Sequence, residues 1–254
     1  MKKNLKRILI VIGLILLVIL AVAVGLFIYS KTYSIPEQDA TIENTTGLVQ
    51  AHDKSLYDAD GDRIQLKGVN AGQILLQEGW MSPFALEPLK NEDGSYVKDA
   101  DNNIQYPEFS EEEFREGIKS NPNLNTYDID ELMRIYWDCF FTEEDFRIIK
   151  EDLQMNAIRL PFYYLNILNE DLSLKSEEEA FAYLDWFMEQ AAAHELYIIL
   201  DLHGAPGSQN GYEHSGSAER VANFWTNEEY VASVVELWDF VSMHYTESKP
   251  ELGK

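Results

Sequence analysis

The chain has 254 residues, 46% of them hydrophobic, with 44 acidic side chains against 20 basic ones and a formal net charge of −24; that is enough for one large domain or two small ones. So acidic a composition excludes nucleic acid and other anionic polymers as ligands, because phosphate recognition needs patches of Lys and Arg. The single cysteine, Cys139, excludes an internal disulfide and a thiolate metal cluster, and its setting in WDCFF predicts a buried thiol acting as a small hydrophobe.

In chain order, MKKNLKR (residues 1–7) precedes ILIVIGLILLVILAVAVGLFIY, 22 residues from Ile8 to Tyr29 without a charge. As a helix at 1.5 Å per residue this run spans about 33 Å, the thickness of a bilayer core. A single transmembrane helix is therefore expected over 8–29. Lys2, Lys3, Lys6 and Arg7 put residues 1–7 in the cytoplasm and everything that follows outside the cell. The alternative is a cleaved signal peptide with Ala21-Val22-Ala23 as its small-residue site, followed by secretion; against it, the run stays apolar beyond those alanines. Residues 30–46, SKTYSIPEQDATIENTT, are polar and aperiodic and read as a stalk. All 44 acidic residues lie beyond Tyr29, where clusters such as SEEEFRE read as solvated helix faces.

From residue 47 to residue 254 the pattern is that of a folded domain. LVQAHDKSLYDADGDRIQLKGVN reads as a β-hairpin turning on Asp60-Gly61, its second strand ending near Asn70. DADGD also opens like a calcium loop, but Val69 stands where such a loop needs its final glutamate. A long irregular region follows, about residues 71–126. IDELMRIYWDCF and FTEEDFRIIKEDLQ then read as helices, the second opening on Thr142 and Asp145 as a capping box. MNAIRLPFYY is a strand. SEEEAFAYLDWFMEQAAAHE is a helix capped by Ser176 and Glu179, LYIILDLH the next strand, and TNEEYVASVVELWDFVSMHY a helix capped by Thr226 and Glu229. This alternation points to parallel β/α units.

Period-2 alternation puts Ile158 and Leu160 on one face of their strand and Arg159 on the other. In YIILDLH it puts Ile198, Leu200 and Leu202 on one face, with Ile199, Asp201 and His203 on the other. If the aliphatic faces meet the helices, Arg159, Asp201 and His203 share the opposite side near the carboxyl ends of their strands. That end holds the site in a β/α barrel. A partly buried guanidinium and carboxylate are costly apart, so the three are expected in one network with Asn70 nearby.

LKGVNAGQILLQEGWMSP, NAIRLPFYY and YIILDLHGAPGSQNG together resemble glycoside hydrolase family 5, the cellulase and exo-1,3-glucanase group, with DLHGAPGSQNG the most specific stretch. The resemblance implies a (β/α)8 TIM barrel that retains anomeric configuration while cleaving β-glycosidic bonds with two glutamates. It implies that Arg159 supports the nucleophilic carboxylate and that His203 lines the subsite of the attacked sugar. Glu78 and Trp80 of LLQEGW would bind sugar hydroxyls and a sugar face, Tyr164 would follow the arginine strand, and Asn210 and Tyr212 would border the cleft mouth. A β-glucan or β-glucoside is the implied substrate, and no cofactor or metal is expected.

The pattern departs from the family at Gln73 and Ile74, where a glycine and a tryptophan are typical, and at Leu165 and His214, where a tryptophan and an asparagine are. No Asn-Glu-Pro motif occurs in the chain, so the acid/base and nucleophile glutamates are expected beyond Lys254. The fold expected is accordingly the N-terminal portion of the α/β barrel, preceded by the hairpin and the transmembrane helix. Three functions fit this expectation: the N-terminal part of a membrane-anchored glycosidase, inactive alone; a non-catalytic glycan-binding protein; or a nonfunctional barrel fragment.

Overall fold

The computed structural model describes residues 17–26, 48–82 and 87–249. Residues 17–26 are helical and exposed; the remainder of the apolar run 8–29, the basic segment 1–7 and all of the stalk 30–46 lie outside the described residues. Among the described residues no helix is long and apolar enough to cross a membrane. At 1.5 Å per residue the described helix spans about 15 Å, half a bilayer core. The transmembrane helix expected as part of the fold, and membrane attachment through it, are corrected accordingly.

The hairpin is a three-stranded antiparallel sheet of β1 (Gln50–His52), β2 (Ser55–Tyr57) and β3 (Arg63–Ile64). Its first turn is at Asp53-Lys54, with Asp53 at φ 52. The second is the expected one at Asp60-Gly61. There Asp58 Oδ1 accepts from the amides of Asp60 and Asp62 at 3.0 and 2.8 Å, and Gly61 takes φ 84. This is an aspartate-organised turn, satisfied by its own backbone. The segment ending at Asn70 is a separate strand, β4 (Gly68–Asn70), and belongs to the second sheet.

That second sheet is parallel, in the order β4, β5 (Ala157–Tyr163), β6 (Tyr197–Gly204). Between β4 and β5 come α1 (Glu111–Ser120), α2 (Ile129–Phe140) and α3 (Glu143–Arg147). The helix α4 (Glu177–Ala193) links β5 to β6, and α5 (Glu228–Met243) follows β6. The capping boxes at Thr142/Asp145 and Ser176/Glu179 are both present. At α5 the cap is Asn227, whose side chain accepts from Glu229 N, one residue later than expected.

The helices cover one face of the sheet. Ile158, Leu160 and Phe162 of β5 are fully buried against Phe181, Leu184 and Phe187 of α4 and Leu237 of α5. Each such side chain contributes about 1.5–3 kcal/mol by leaving water, which fixes which face of β5 is inward. Ile198, Leu200 and Leu202 pack on the same core, while Ile199 on the alternate face is 43% exposed.

Two expectations fail for one geometric reason. Cys139 is exposed, because Met133 and Trp137 hold the core side of α2 and a residue two positions on is turned about 200° away. In SEEEFRE, conversely, Glu111 and Arg115 are buried on the side of α1 that meets the domain. The region 71–126 thus contains a complete helix, opened by a Ser110/Glu113 capping box, within what reads as irregular sequence.

Candidate functional site

Register sets the site. Asn70 pairs with Arg159 across β4 and β5, and Arg159 with Ile199 across β5 and β6, so Asp201 stands two residues further up the neighbouring strand. Arg159 reaches both flanks: Nη1 donates to Asn70 Oδ1 at 3.1 Å and Nη2 to Asp201 Oδ2 at 2.5 Å. His203 Nδ1 lies 2.8 Å from the same Asp201 oxygen and 3.0 Å from Arg159 Nη2. An imidazole nitrogen beside both a guanidinium and a carboxylate is best satisfied as the N–H donor to the carboxylate. In that tautomer Nε2 is the unprotonated nitrogen, on the edge of the ring that faces Glu78 Oε1 at 3.9 Å. Asp201 accepts from both neighbours and is committed to holding them.

His203 owes its position to a break in the ladder. Phe162 pairs with Leu202, but Tyr163 pairs with Gly204, leaving His203 as the extra residue of β6. Such a bulge re-aims a side chain at a strand end. The loop beyond is pinned by Gln209, whose Nε2 donates to His203 O at 2.6 Å and whose Oε1 accepts from Ala205 N at 3.1 Å. Gly207 and Gly211 adopt φ +69 and +74, a region open to glycine without strain; this is why the loop is glycine-rich.

The Glu78 arm arrives from a different quarter. After β4 the chain turns at Gln73 (φ 63), then rejoins the sheet through a parallel bridge of Leu75 to Phe162. Gln73 Oε1 accepts from Glu78 N at 2.5 Å and Gln73 O accepts from Tyr136 Oη at 2.7 Å. Burial pushes the Tyr136 phenol up to about 12, so it remains a donor. Gln77 N donates to Glu111 Oε2 at 2.7 Å, and Glu111 Oε1 accepts from Arg115 at 2.6 Å. Arg115 in turn meets Asp130 at 3.3 Å, which also takes Lys175 at 2.8 Å. This buried network holds Glu78 with Oε2 accepting from Trp80 Nε1 at 2.6 Å and Oε1 at 3.9 Å from His203 Nε2. The carboxylate is buried while the indole is 70% exposed.

Asn70, Glu78, Trp80, Arg159, Asp201 and His203 therefore form one contiguous set. Asn210 and Tyr212 join at its border: Asn210 Nδ2 lies 2.8 Å from His214 Nε2, Tyr212 stacks on His214 at 5.6 Å, and the His214 and His203 rings are 6.0 Å apart. Tyr164 lies elsewhere. It packs on Tyr163 at 4.5 Å and lines a polar cavity of about 370 Å³ with Glu112, Pro206 and Tyr230, where burial raises its pKa. A second cavity of about 300 Å³, lined by Asn70, Arg159 and Ile199, opens on the uncovered face of the sheet beside the cluster.

The sequence does not mark Gln73, Gln77, Gln209, Glu111 or His214 as parts of the site. The amides carry no chemical signature in a sequence, and Glu111 hides in an acidic run. Gln73 did carry a signal, as an odd residue at a position where glycine is usual. Among the described residues no group of three or more His, Cys, Asp or Glu is arranged to hold a metal ion. The set offers a carboxylate, an imidazole nitrogen, an amide and an open indole face. These are hydrogen-bonding edges and an apolar plane suited to a polyhydroxylated ring.

The family described as cellulase (glycosyl hydrolase family 5) matches residues 113–253, more than half of the chain. A β-xylosidase of Phanerodontia chrysosporium is 34% identical over 113 residues, covering 44% of this chain and 24% of that protein. A glucan 1,3-β-glucosidase of Lachancea kluyveri is 30% identical over 175 residues, covering 68% and 36%, and one of Kluyveromyces lactis is 29% identical over 162 residues, covering 63% and 34%. The chain thus spans between a quarter and a little over a third of the length of these curated relatives. In fold it is similar to the crystal structure of AoRut, with a TM-score of 0.50 at 19% identity over 74% of this chain and 46% of that one.

Proposed function

The chain belongs to glycosyl hydrolase family 5, and on that premise we propose that it supplies the sugar-binding side of a retaining glycoside hydrolase acting on β-linked glucans, and that by itself it binds glycan without cleaving it. The observation that carries this reading is the convergence of Asn70, the last residue of β4, with Arg159 beside it in β5 and with Asp201 and His203 in the carboxyl-terminal half of β6, with Glu78 and Trp80 beside them. In a β/α barrel the carboxyl end of the strands is where substrates bind. The linkage follows the names of the relatives, two of which are glucan 1,3-β-glucosidases.

The residues divide the work. Glu78, with Oε2 held by Trp80, presents Oε1 and its lone pairs to sugar hydroxyls. The face of Trp80 takes the C–H side of the ring. His203 Nε2 accepts a hydrogen bond from a sugar hydroxyl while Asp201 orients the ring through Nδ1. Arg159 keeps its charge near the place where a nucleophilic carboxylate would sit, lowering the cost of that anion. Retaining hydrolysis needs two carboxyl groups about 5–5.5 Å apart, one to attack and one to protonate the leaving oxygen. Asp201 is saturated by Arg159 and His203, and Glu78 is tied to Trp80, so neither serves as that pair.

The test is calorimetric titration of the full chain with laminaribiose and cellobiose, beside a release assay on β-glucosides and β-glucans. Binding weakened about tenfold or more by His203→Ala, with no turnover, is expected, the size of a hot-spot truncation. Turnover abolished by Glu78→Gln would overturn the assignment of roles. Absence of any binding would overturn the site.

A further inference from the structure

Trp225 belongs to no part of the set described above, yet it is built like a binding surface. It sits in a single turn, Phe224–Thr226, before α5, and is 69% exposed. Its one polar atom is already used, Nε1 donating to Gln209 O at 2.7 Å. Behind it lies the buried ring of Phe224, edge-on at 4.8 Å, whose amide is held by the carbonyls of Gly207 and Ser208. The indole is therefore fixed on the glycine-rich loop by the residue, Gln209, that also clamps the backbone of His203.

Singly exposed aromatics are ordinary on protein surfaces; what sets this one apart is its company. Among the described residues three aromatic side chains exceed 60% exposure, Trp80, Tyr212 and Trp225. Trp80 is bonded to Glu78 beside His203, Tyr212 stacks on His214, and Trp225 is pinned to Gln209. Tyr212 lies within the loop that leaves β6 and Trp225 is bonded to it, while Trp80 stands by way of Glu78 beside His203, at the root of that loop. An indole whose N–H is satisfied internally offers a ligand only its apolar face, already held in place, so stacking on it costs little ordering entropy.

We propose that Trp225 is a stacking platform for glycan units that extend out of the Arg159–Asp201–His203 cluster, making glycan length a determinant of affinity. The proposal rests on the reading of that cluster as a sugar site. It goes beyond it by giving the protein a second, chain-length-dependent subsite on the outer side of the loop.

The experiment titrates the full chain with laminaribiose and laminarihexaose, and with cellobiose and cellohexaose, and compares the hexaose-to-biose affinity ratio. In the wild type one hexaose binds more tightly than its disaccharide. In Trp225→Ala that ratio falls roughly tenfold, the effect of removing an aromatic anchor. Trp225→Phe, which keeps a ring face without the N–H, retains most of the ratio. Val235→Ala, at an exposed position of α5, leaves it unchanged. A ratio in Trp225→Ala equal to the wild type overturns the proposal while leaving the primary site standing. Equal loss in the Ala and Phe variants, with a lowered melting temperature in both, also overturns it, since Trp225 would then act only by holding the loop. If the wild type binds neither disaccharide nor hexaose, the primary site itself has failed.

Discussion

Two Arg–carboxylate pairs flank the same stretch of sheet, and they differ in their access to water. Arg159 and Asp201 meet at 2.5 Å with side chains 33% and 28% exposed; Arg115 and Glu111 meet at 2.6 Å with side chains 9% and 1% exposed. The buried pair is closed: Glu111 also accepts from Gln77 N, and Arg115 also reaches Asp130. The half-open pair leaves the imidazole beside it with a free nitrogen facing Glu78. The same chemistry thus serves as a rivet in one place and as the floor of a site in the other. The rivet holds the segment that carries Glu78, so the two act in series.

Breaking the rivet should give the largest effect. Glu111→Gln removes the charge that pairs with the buried Arg115 and leaves one acceptor oxygen where two served, so that Arg115 Nε or Gln77 N loses its partner. The expected loss is about 3 kcal/mol of folding stability, within the range for an uncompensated buried charge. Arg159→Met, breaking the half-open pair, should cost about 1 kcal/mol or less and act instead on glycan binding. Urea unfolding of both variants checks the contrast. Equal destabilisation would show that exposure does not separate the two pairs.

A middle-sized effect is expected where the two regions are joined. Gln73 holds Glu78 N through its side chain and Tyr136 through its carbonyl, at φ 63. Gln73→Ala keeps the strained backbone and removes the acceptor, leaving a buried amide unpaired at a cost of about 1–2 kcal/mol. Gln73→Gly removes the same acceptor but relieves the left-handed strain, and should recover part of that loss. Melting temperatures that place Gly below Ala would mean that the backbone conformation at Gln73 is not the source of strain.

The sequence was legible where periodicity governs. Arg159, Asp201 and His203 were placed on one face by alternation alone, because the aliphatic residues between them had to meet the helices. The Ser176/Glu179 box marked the start of α4 for an equally local reason. What alternation does not contain is the bulge at His203 or the clamp by Gln209, since both depend on which residue of one strand meets which of another. The Glu78 arm was harder still. Its supports, Glu111, Arg115 and Tyr136, come from helices 30 to 60 residues away in sequence, and the acidic run containing Glu111 looks solvated until α1 is seen to press one side of it inward. The apolar run at 8–29 is legible in length and hydropathy alone, and of that run the structure describes ten helical residues.

The smallest expected effect concerns Asp130, which is more exposed than either pair compared above and yet is bonded to the buried one. Its side chain is 48% exposed, yet it closes the buried network by accepting from Arg115 and Lys175. Burial would raise its pKa, but the hydrogen bond and charge of Lys175, together with Arg115, outweigh this and leave it below the ordinary 3.8. A depressed carboxylate stabilises the fold fully above the unfolded-state value and loses that contribution as pH falls through the folded value. Asp130→Asn should therefore be slightly less stable than the wild type at neutral pH, by less than about 1 kcal/mol given the exposure. The gap should close as the pH is lowered below 3.8, because the wild-type carboxylate is then neutralised as well. Urea midpoints of the two proteins followed from neutral pH into this acid range make the comparison. Other acids titrate in both proteins alike, so the difference isolates Asp130. A gap that stays constant into strong acid would show that the charge of Asp130 adds nothing to the rivet, and that Arg115 is held by Glu111 alone.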